Sequence, residues 1–533
     1  MKKNLLLTVL LLSLFANAQI INIPDANFKA KLLAASPTNG TALDLNFQYN
    51  KIDTNNDGEI QLSESLNILA LNVQSSNISD LEGLVSFINI KYLECSNNQI
   101  SNISLNGLIN LVQLTCSSNQ LTSLNLLGNS NLQLLRCGFN QLSVLNLSGL
   151  SNLQFLSCHS NQLTSLNFDG LYSLLEAECQ YNQITNIYTI GLTSLKKIDL
   201  DGNQLTNLTI NGITGLEELE CSYNPLVNLS LSNLEGLKRL ICENNQLTSL
   251  NLSTVSNLNI LKCNNNLLPS IDTFGLTNLN YLYCSSNLLT YLNLNNNTNL
   301  ISLVLDYNQI TSLDLTNNTA LTELYCSSNQ LTNLNLNNNT YLEELYCNSN
   351  QLASLNLNNN PYLVKLFCGF NQLSELNLSN NNLLDDLFCS YNQLTSLLIK
   401  NNSSVDGFFY FNDNPNLVYV CADQSELSLV QNLVTSYGYT NCVVDSNCDL
   451  SNQNFNVAEA FSIYPNPVKD IITIDTTIGM KTINIYNPLG QLVKNIPNAK
   501  DTKTIDVASL YNGNYFMKIE TSDGVVTQKF IKI

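Results

Sequence analysis

The sequence contains few of the side chains on which enzymes and nucleic-acid-binding proteins depend. Among 533 residues it has no tryptophan, three methionines and one histidine, His159. A Ser-His or Cys-His nucleophilic pair would therefore have one possible base. Lysine and arginine total 22 against 41 acidic residues, which gives a formal charge of −19, and the basic residues form no cluster. A phosphate-binding surface needs clustered basic side chains, so nucleic acid is excluded as a partner.

Long apolar segments are also lacking, and the apolar stretch at the N-terminus is short. Lys2 and Lys3 precede an apolar run over residues 5–15, and the A-x-A pattern of residues 16–18 follows it. This order is typical of a secretory signal peptide. The run is about half of the ~20 residues that a membrane span requires. We therefore expect residues 1–18 to be a signal peptide and the mature chain to have no transmembrane segment.

What the sequence has in excess is repetition. Thirteen cysteines are separated by 21 residues or by twice that number, and the two skipped registers hold Leu200 and Leu305. The thirteen are Cys95, Cys116, Cys137, Cys158, Cys179, Cys221, Cys242, Cys263, Cys284, Cys326, Cys347, Cys368 and Cys389. A further unit with Val73 in that register precedes Cys95 by 22 residues. A fixed period of this kind indicates a solenoid, in which stacked coils share one core.

Each unit follows the pattern L-x-x-L-x-C-x-x-N-x-L-T-x-L-x-L, as residues 321–336 illustrate. Leu324 and Cys326 alternate with Tyr325, which is the period of a strand with one buried face. The asparagine of the pattern recurs from Asn98 to Asn392. Its side-chain amide can donate to and accept from backbone groups of neighbouring coils. The second half of each unit has no helical spacing and is expected to be extended.

This pattern resembles the leucine-rich repeat over residues 68–420, with cysteine in the second leucine place of the strand. The resemblance implies a mostly β fold, a leucine-rich-repeat solenoid of 21-residue coils with parallel strands. Because the second half of each unit lacks helical spacing, we expect a flat, β-rich solenoid. With coils ~4.8 Å apart, sixteen or so coils would form a rod on the order of 80 Å long.

The thirteen cysteines of the period are expected to be free, buried thiols. The same register also accepts apolar residues, namely Val73, Leu200, Leu305 and Tyr410. This position therefore requires a buried hydrophobic side chain and does not require a disulfide bond. Residues stacked in register have parallel Cβ vectors ~4.8 Å apart, which is wider than the ~3.8 Å mean of disulfides.

Three further cysteines, Cys421, Cys442 and Cys448, break the period after the last coil. An open solenoid end needs a cap, and a disulfide would close it. A Cys421–Cys442 bridge with Cys448 left over is the pairing we expect, although sequence alone leaves other pairings open.

A candidate metal site precedes the repeats. Residues 53–64 match the spacing D-x-[DN]-x-[DN]-G-x₅-E and so resemble the calcium-binding loop of EF-hand proteins. The resemblance implies one structural Ca²⁺ with the ligands Asp53, Asn55, Asp57, Glu59 through its backbone carbonyl, Gln61 and Glu64. With a single loop and three methionines, a calcium sensor is not expected. The alternative interpretation is an acidic turn that only covers the first coil.

After residue 450 the period ends. Residues 471–475, 481–486 and 515–519 alternate like short strands between turns, which predicts a small β-sandwich. The strings at residues 464–467, 485–491, 510–515 and 529–533 (YPNP, IYNPLGQ, LYNGNY and KFIKI) resemble the type A sorting domain of type IX secretion. The resemblance implies a Bacteroidetes-type bacterium, contact with the type IX machinery, and a secreted or outer-surface location. An ordinary adhesive sandwich is the alternative.

The expected organisation follows from these segments. It comprises a signal peptide at 1–18, an N-terminal cap with the EF-hand-like loop at 19–67, the solenoid at 68–420, a C-terminal cap and linker at 421–460, and the sorting domain at 461–533.

The outward strand position before the cysteine register changes character along the chain. Its N-terminal half is polar and acidic, whereas its C-terminal half carries aromatic residues, which are Tyr283, Tyr325, Tyr346, Phe367, Phe388 and Phe409. A second column, two places after the cysteine register, adds Phe139, Tyr181, Tyr223, Tyr307, Phe370 and Tyr391. Contiguous exposed aromatics on a concave strand face are typical of binding surfaces. Cross-strand stacking that only stabilises the sheet would give the same pattern.

Carboxylate pairs also lie on the strands, such as Glu218 with Glu220, and could mimic a glycosidase site. A solvated acidic face is the simpler interpretation, because a repeat array forms no obvious catalytic pocket. We therefore expect a non-enzymatic binding or adhesion protein whose partner is an extracellular protein or glycan. A structural surface or matrix spacer without a discrete ligand is the alternative.

Overall fold

The structure is a computed structural model, and it describes residues 19–189, 191–210, 213–403, 407–448, 461–476, 479–521 and 525–533. The expected signal peptide and the expected linker at 451–460 lie outside the described residues. The chain divides into two compact units, the first ending at Val444 and the second running from Asp445 to Ile533.

The regular elements are short. From residue 19 to residue 448 the helices are α1 (Ala26–Leu33), α2 (Leu62–Ser65) and α3 (Leu427–Ser436). Over the same residues the strands are β1 (Ala42–Asp44), β2 (Ile68–Asn72), β3 (Tyr92–Glu94), β4 (Gln113–Thr115), β5 (Leu134–Arg136), β6 (Phe155–Ser157), β7 (Ser165–Asn167), β8 (Glu176–Glu178), β9 (Asn186–Tyr188), β10 (Lys197–Asp199), β11 (Asn207–Thr209), β12 (Glu218–Glu220), β13 (Asn228–Ser230), β14 (Arg239–Ile241), β15 (Ile260–Lys262), β16 (Tyr281–Tyr283), β17 (Ser302–Val304), β18 (Glu323–Tyr325), β19 (Glu344–Tyr346), β20 (Lys365–Phe367), β21 (Glu375–Asn377), β22 (Asp386–Phe388), β23 (Ser396–Leu398), β24 (Phe409–Tyr410), β25 (Tyr419–Cys421) and β26 (Val443–Asp445).

One long sheet runs the length of the solenoid, and we call it the main sheet. It contains 18 strands within the described residues. Its coil strands are parallel and in register, so that Leu324 pairs with Leu345 and Tyr325 with Tyr346. In the three-residue strands from β3 to β22 of this sheet the central residue is buried, and in most of them its two neighbours are more exposed. The expected alternation and the mostly β fold class are confirmed.

The opposite side of each coil is extended and forms only short sheets, β7–β9, β11–β13 and β21–β23–β25–β26. From β2 onward the described residues contain no α-helix until α3. The leucines of both sides meet in one continuous core. This agrees with the expectation of a β-rich solenoid.

The asparagine column connects consecutive coils through backbone groups. Asn329 Nδ2 donates to the carbonyl oxygens of Leu305 at 3.0 Å and Cys326 at 3.2 Å. Asn329 Oδ1 accepts from the Ile310 backbone N–H at 3.0 Å. The asparagines from Asn119 to Asn392 repeat this pattern, and their side chains are buried because the chain turns over them. The predicted dual role of the amide is confirmed.

A second buried asparagine ladder was not recognised in the sequence. It lies at the turn that precedes the next strand and comprises Asn297, Asn318, Asn339, Asn360 and Asn381, all fully buried. Asn339 Nδ2 donates to the Asn318 carbonyl at 2.9 Å and to the Leu315 carbonyl at 3.2 Å. The signal was present as runs of two or three asparagines at the turns, but the buried and the exposed asparagines look alike in the sequence.

All thirteen cysteines of the period are free and buried, as expected. The Sγ atoms of Cys158 and Cys179 are 3.7 Å apart, which is a thiol contact and not a disulfide. Burial raises the pKa of Cys326 and of Cys347 well above the ordinary value of a thiol. These side chains therefore act as small hydrophobic residues of the core.

The expected pairing of the remaining cysteines is wrong. Cys421 and Cys448 are each disulfide-bonded, whereas Cys442 is a free, half-buried thiol. Cys421 is the last residue of β25, and Asp445 Oδ1 accepts from the Cys448 backbone N–H at 3.1 Å, which fixes the turn that carries Cys448. Spacing along the chain does not reveal such a turn.

The last coil contains one extra residue, which the sequence-based alignment missed. Phe409 pairs with Leu387 and Tyr410 with Phe388, so the register differs by one from that expected. Phe411 occupies the buried cysteine place, and Asn414 takes over the asparagine column by donating to Cys389 O at 3.2 Å. Tyr437 and Tyr439, which follow α3, pack against Phe411 and close this end of the core.

The second unit is antiparallel within each of its sheets. Its strands are β27 (Phe461–Tyr464), β28 (Ile471–Thr476), β29 (Met480–Tyr486), β30 (Leu492–Pro497), β31 (Thr504–Asp506), β32 (Gly513–Thr521) and β33 (Val525–Lys532). They form the sheets β27–β28–β31 and β30–β29–β32–β33. Ile472 of the first sheet and Ile483 and Phe530 of the second share one core. This agrees with the expected β-sandwich.

Candidate functional site

The outer face of the main sheet, here called the sheet face, presents two side chains from each three-residue strand. In β18 these are Glu323 and Tyr325, both half-buried because strands on either side cover their flanks. The backbone is in register along the sheet, so equivalent side chains stack in columns. The sheet face is therefore a set of parallel columns whose composition varies coil by coil.

Four of the predicted binding residues form a continuous stack, which we call the aromatic ladder: Tyr325, Tyr346, Phe367 and Phe388. The ring centroids of Tyr325 and Tyr346 are 4.4 Å apart and those of Tyr346 and Phe367 are 4.5 Å apart, with interplanar angles of 7°. Phe367 and Phe388 are looser, at 6.2 Å and 22°. From Tyr325 to Phe367 each ring therefore covers much of its neighbour's face.

The two other predicted binding residues lie apart from the ladder. Tyr283 is in the same column, but Val304 separates it from Tyr325, and the Lys262 ammonium lies 4.7 Å from the Tyr283 ring centroid. Phe409 faces the core and is only 7% exposed, a consequence of the extra residue in its coil. Its place on the sheet face is taken by Tyr410, which is exposed. Asn414, 22 residues after Asn392, is the sequence signal that identifies this shift.

A pocket of about 470 Å³ opens beside the aromatic ladder. We call it the aromatic pocket; its lining residues are Asp306, Tyr307, Tyr325, Ser327, Ser328, Tyr346, Asn348, Ser349, Phe367, Phe370 and Phe388. Burial raises the pKa of the Asp306 carboxyl above its ordinary value. The Tyr325 hydroxyl donates to Glu344, which also pairs with Lys365 at 2.8 Å. The ladder hydroxyl that reaches this carboxylate is thus already hydrogen-bonded within the protein.

The second aromatic column has a backbone conformation that the sequence did not reveal. Two places after the cysteine register, every coil from Asn97 to Asp413 has positive φ, in the left-handed region. In ten coils this place holds Asn, Ser, Asp or Gly, as sterics favour. In six it holds an aromatic residue, and these six form what we call the rim column: Phe139, Tyr181, Tyr223, Tyr307, Phe370 and Tyr391. The six side chains are between 46% and 66% exposed.

Acidic side chains dominate the middle of the sheet face. Carboxylate oxygens of Asp199, Asp201 and Glu220 lie within 4.8 Å of one another. Burial, followed by repulsion from Asp199, raises the pKa of Asp201 to about 7. Arg239 approaches Glu220 at 3.4 Å. This acidic cluster was visible in the sequence only as alternating Glu and Asp residues.

The EF-hand-like loop precedes α2, as in the motif, and Gly58 has φ +81°. Asn55, Asp57, Gln61 and Glu64 line a pocket of about 300 Å³. Asp53 lies beside them, where its carboxylate accepts from the Asp57 and Gly58 backbone N–H groups at 3.2 and 3.1 Å.

The other two features of the loop concern its anchoring. The Glu59 carboxylate pairs with Lys29 of α1 at 2.6 Å, which leaves its backbone carbonyl for the loop. Glu64 accepts from the backbone N–H groups of Thr54 at 2.7 Å and Gln61 at 2.9 Å. The predicted ligands are thus assembled around one loop, and their oxygens are of the type that Ca²⁺ prefers.

Comparison with known proteins identifies the C-terminal unit and the fold of the solenoid. Residues 462–533 match the family of secretion system C-terminal sorting domains. The functional domain of InlJ from Listeria monocytogenes, which includes a cysteine ladder, is 24% identical to this chain, with a TM-score of 0.57. The match covers 97% of this chain and 99% of that one. YopM from Yersinia enterocolitica is 25% identical with a TM-score of 0.56, over 67% of this chain and 82% of its own.

A leucine-rich-repeat protein of Leptospira interrogans is 22% identical with a TM-score of 0.56, over 72% of this chain and 97% of its own. Identities this low establish a shared fold and leave the ligands open. A search of curated sequences found no significant match.

The chain is therefore a leucine-rich-repeat protein with a C-terminal sorting domain of type IX secretion. Such a domain directs export to the cell surface or into the medium. Across the residues that the structure describes, no helix has the length and apolar character of a membrane span.

Proposed function

We propose that this protein is a non-enzymatic recognition protein, exported to the cell surface or the medium, that binds a protein or glycan through the sheet face. The single observation that carries the proposal is the aromatic pocket, where six aromatic side chains of the ladder and the rim column surround about 470 Å³ of space. Soluble proteins rarely leave such an apolar concavity without a ligand.

The chemistry of the pocket favours binding over catalysis. Its lining offers rings, hydroxyls, amides and the Asp306 carboxylate, without a histidine or a second acid. His159 is many coils away, where its ring packs edge-on against Phe139 at 4.8 Å. General acid–base or nucleophilic catalysis would require a base beside the reacting group.

A structural spacer without a ligand is the second candidate, and the ladder itself favours it. Rings that stack at 4.4 and 4.5 Å contribute about 0.5–1.5 kcal/mol per pair beyond the area they bury. The near-identical coils over residues 284–347 also suit a spacer. Rings of the rim column, in contrast, are exposed and contribute little to the core.

The proposal is tested by screening the purified chain against glycan and extracellular-protein arrays, in parallel with the variant Tyr325→Ser/Tyr346→Ser/Phe367→Ser. The matched control is Tyr341→Ser/Tyr362→Ser. These two exposed tyrosines lie away from the sheet face, and their ring centroids are 5.9 Å apart. Recognition is supported if the native chain and the control bind a ligand saturably and the triple variant binds it with at least tenfold lower affinity. Normal folding without binding to either class supports the spacer.

We propose further that the N-terminal loop binds one Ca²⁺ with a structural role. The support is the ligand spacing and the pocket that Asn55, Asp57, Gln61 and Glu64 line. An ion held there would join the loop to α2 and thereby stabilise the cap of the first coil. At a concentration 100 times its dissociation constant it would add about 2.7 kcal/mol to the stability of the cap.

Terbium luminescence and the thermal midpoint with 1 mM Ca²⁺ or with EDTA test this second proposal. We expect a Ca²⁺-dependent rise in the midpoint that Asp53→Asn/Glu64→Gln abolishes. The variant Asp80→Asn/Glu82→Gln removes the same two charges from the first coil, where that coil contacts Asn22 and Asp25 of the cap, and should keep the Ca²⁺-dependent rise. Equal midpoints with Ca²⁺ and with EDTA would identify the loop as an acidic turn.

A further inference from the structure

The ring faces between Tyr325, Tyr346 and Phe367 of the ladder are not available to a ligand. The face of an aromatic ring carries its partial negative charge and is the part on which sugar C–H groups or cations stack. A group between two rings would need them about 7 Å apart, since carbon atoms approach to about 3.5 Å. The centroids of Tyr325, Tyr346 and Phe367 are only 4.4 and 4.5 Å apart. The ladder therefore presents ring edges, which favour apolar side chains over a stacked sugar.

Among the described residues, the acidic cluster on the same face has fewer neighbouring cations than carboxylates. Asp199 and Glu220 occupy the same column as the ladder, and Asp201 lies two residues beyond Asp199. The neighbouring Lys197 and Arg239 already approach Glu218 at 3.7 Å and Glu220 at 3.4 Å. A charge of opposite sign from a partner would relieve the repulsion among these carboxylates.

Tyrosines of the rim column flank this cluster with exposed rings. Tyr181 is 61% and Tyr223 is 62% exposed, and Gly202 lies between them in the column. A side chain at Gly202 would collide with the Tyr181 ring, since its Cβ would lie 2.7 Å from the ring atom Cδ1. Glycine at this position thus leaves room for the Tyr181 ring. Carboxylates beside the faces of tyrosine rings can together bind an ammonium or guanidinium group.

The acidic cluster and the aromatic pocket lie along one line. Glu220 and Tyr325 are in the same column and five coils apart. At ~4.8 Å per coil this distance is about 24 Å. An extended polypeptide covers it with about seven residues.

We propose that the sheet face binds a polypeptide whose lysine or arginine side chains contact Asp199, Asp201 and Glu220 and whose apolar side chains, about seven residues away, enter the aromatic pocket. This inference rests on the proposed use of the sheet face for recognition and names the class of partner. It predicts a protein ligand with a basic and an apolar segment in place of a glycan.

A random 16-residue peptide library displayed on phage, selected on the full chain, tests the inference. We expect selected peptides to carry two or more basic residues separated from apolar or aromatic residues by about six to eight positions. Their affinity should fall at least tenfold in Asp199→Asn/Asp201→Asn/Glu220→Gln and in Tyr325→Ser/Tyr346→Ser/Phe367→Ser. The matched charge control, Glu235→Gln/Asp272→Asn/Glu375→Gln, changes exposed acids away from the sheet face and should retain affinity.

The other outcomes separate this inference from the proposed function. Selected peptides without basic residues, or peptides that the acid variant binds equally well, would overturn the polypeptide assignment. Glycan binding that the aromatic variant loses would overturn it too while upholding the sheet face as a recognition surface. If neither peptides nor glycans bind the folded chain, both proposals fail.

Discussion

Tyr223 combines a backbone conformation that favours small residues with a large, exposed ring. Its φ of +54° lies in the left-handed region, where an L residue loses roughly 1–2 kcal/mol relative to the right-handed form. At 62% exposure the ring recovers little of this through burial. A side chain that is unfavourable for folding at such a position indicates selection for another role.

Replacing Tyr223 by asparagine should therefore stabilise the solenoid. Asparagine tolerates the left-handed region, and we expect a gain of about 1 kcal/mol, measured by urea denaturation. Tyr291→Asn, at a 60% exposed position without positive φ, is the control and should be neutral. A loss of stability in Tyr223→Asn would mean that ring packing outweighs the backbone strain.

Asp201 connects pH to stability. Its pKa, about 7 in the folded chain, is near 3.8 when exposed, so the native state holds the proton more firmly. Stability is then expected to fall as pH rises from about 4 to about 7. Asp201→Asn should remove this loss, raising stability at pH 8 by about 1–2 kcal/mol after allowance for solvent screening, with no gain at pH 3.

Thermal midpoints of the two chains between pH 3 and pH 8 measure the effect. Asp314→Asn is a control of opposite sign, because hydrogen bonds from Thr316 lower the pKa of the Asp314 carboxyl. Parallel curves for the native chain and Asp201→Asn would show that neighbouring side chains relax around the charge.

At the scale of the element, one coil is held to the next by asparagine as much as by leucine. Each buried amide supplies donors and an acceptor to backbone groups that no strand partner reaches. Asn329→Ala should lower the free energy of unfolding by about 2–4 kcal/mol, since it leaves such groups unpaired and buried. Asn338→Ala removes an exposed amide that donates to Thr316 O at 3.0 Å. This variant should change the free energy of unfolding by less than about 0.5 kcal/mol.

Chemical denaturation of the two variants compares these costs. Equal and small effects would indicate that water enters the coil and replaces the amide.

The cysteine column predicts the reactivity of the thiols. Cys442 is half-buried and its pKa is raised by burial to about 11, whereas the other thirteen free thiols are fully enclosed. A thiol-specific chromophoric reagent should modify at most Cys442 in the native chain, and slowly. In denaturant without reductant it should titrate 14 thiols. Rapid native modification of several thiols would show that the coils open at equilibrium.

The period of the sequence was sufficient to predict the coil, but not what happens where the period fails. Leu324, Cys326 and Asn329 could be placed because each repeats a burial pattern at fixed spacing. Phe409 was misplaced because one inserted residue reverses the inward and outward faces of a strand. Cys448, and not Cys442, is disulfide-bonded, and its place depends on a turn that no repeat specifies.

At the scale of the whole molecule, the sequence separated the exported cargo from its sorting domain, and the sorting domain was the better determined of the two. Its landmarks are short sequence motifs in a fixed order, which can be recognised without knowing the fold. The binding surface depends on which residues the fold brings together. Asp306, Tyr307 and Phe370 join the ladder at one pocket only because coils stack in register.

The two ends of the main sheet are closed by different means. At the start, β1 runs antiparallel to β2, and at the other end the residues after α3 cover Phe411. Parallel strands stacked at about 4.8 Å have the spacing of an amyloid, and an open edge would recruit further chains. The terminal elements thus prevent further strands from adding to the ends of the main sheet. Between them, the number of turns is free to change: duplication or loss of a 21-residue segment would lengthen or shorten the molecule without disturbing either end.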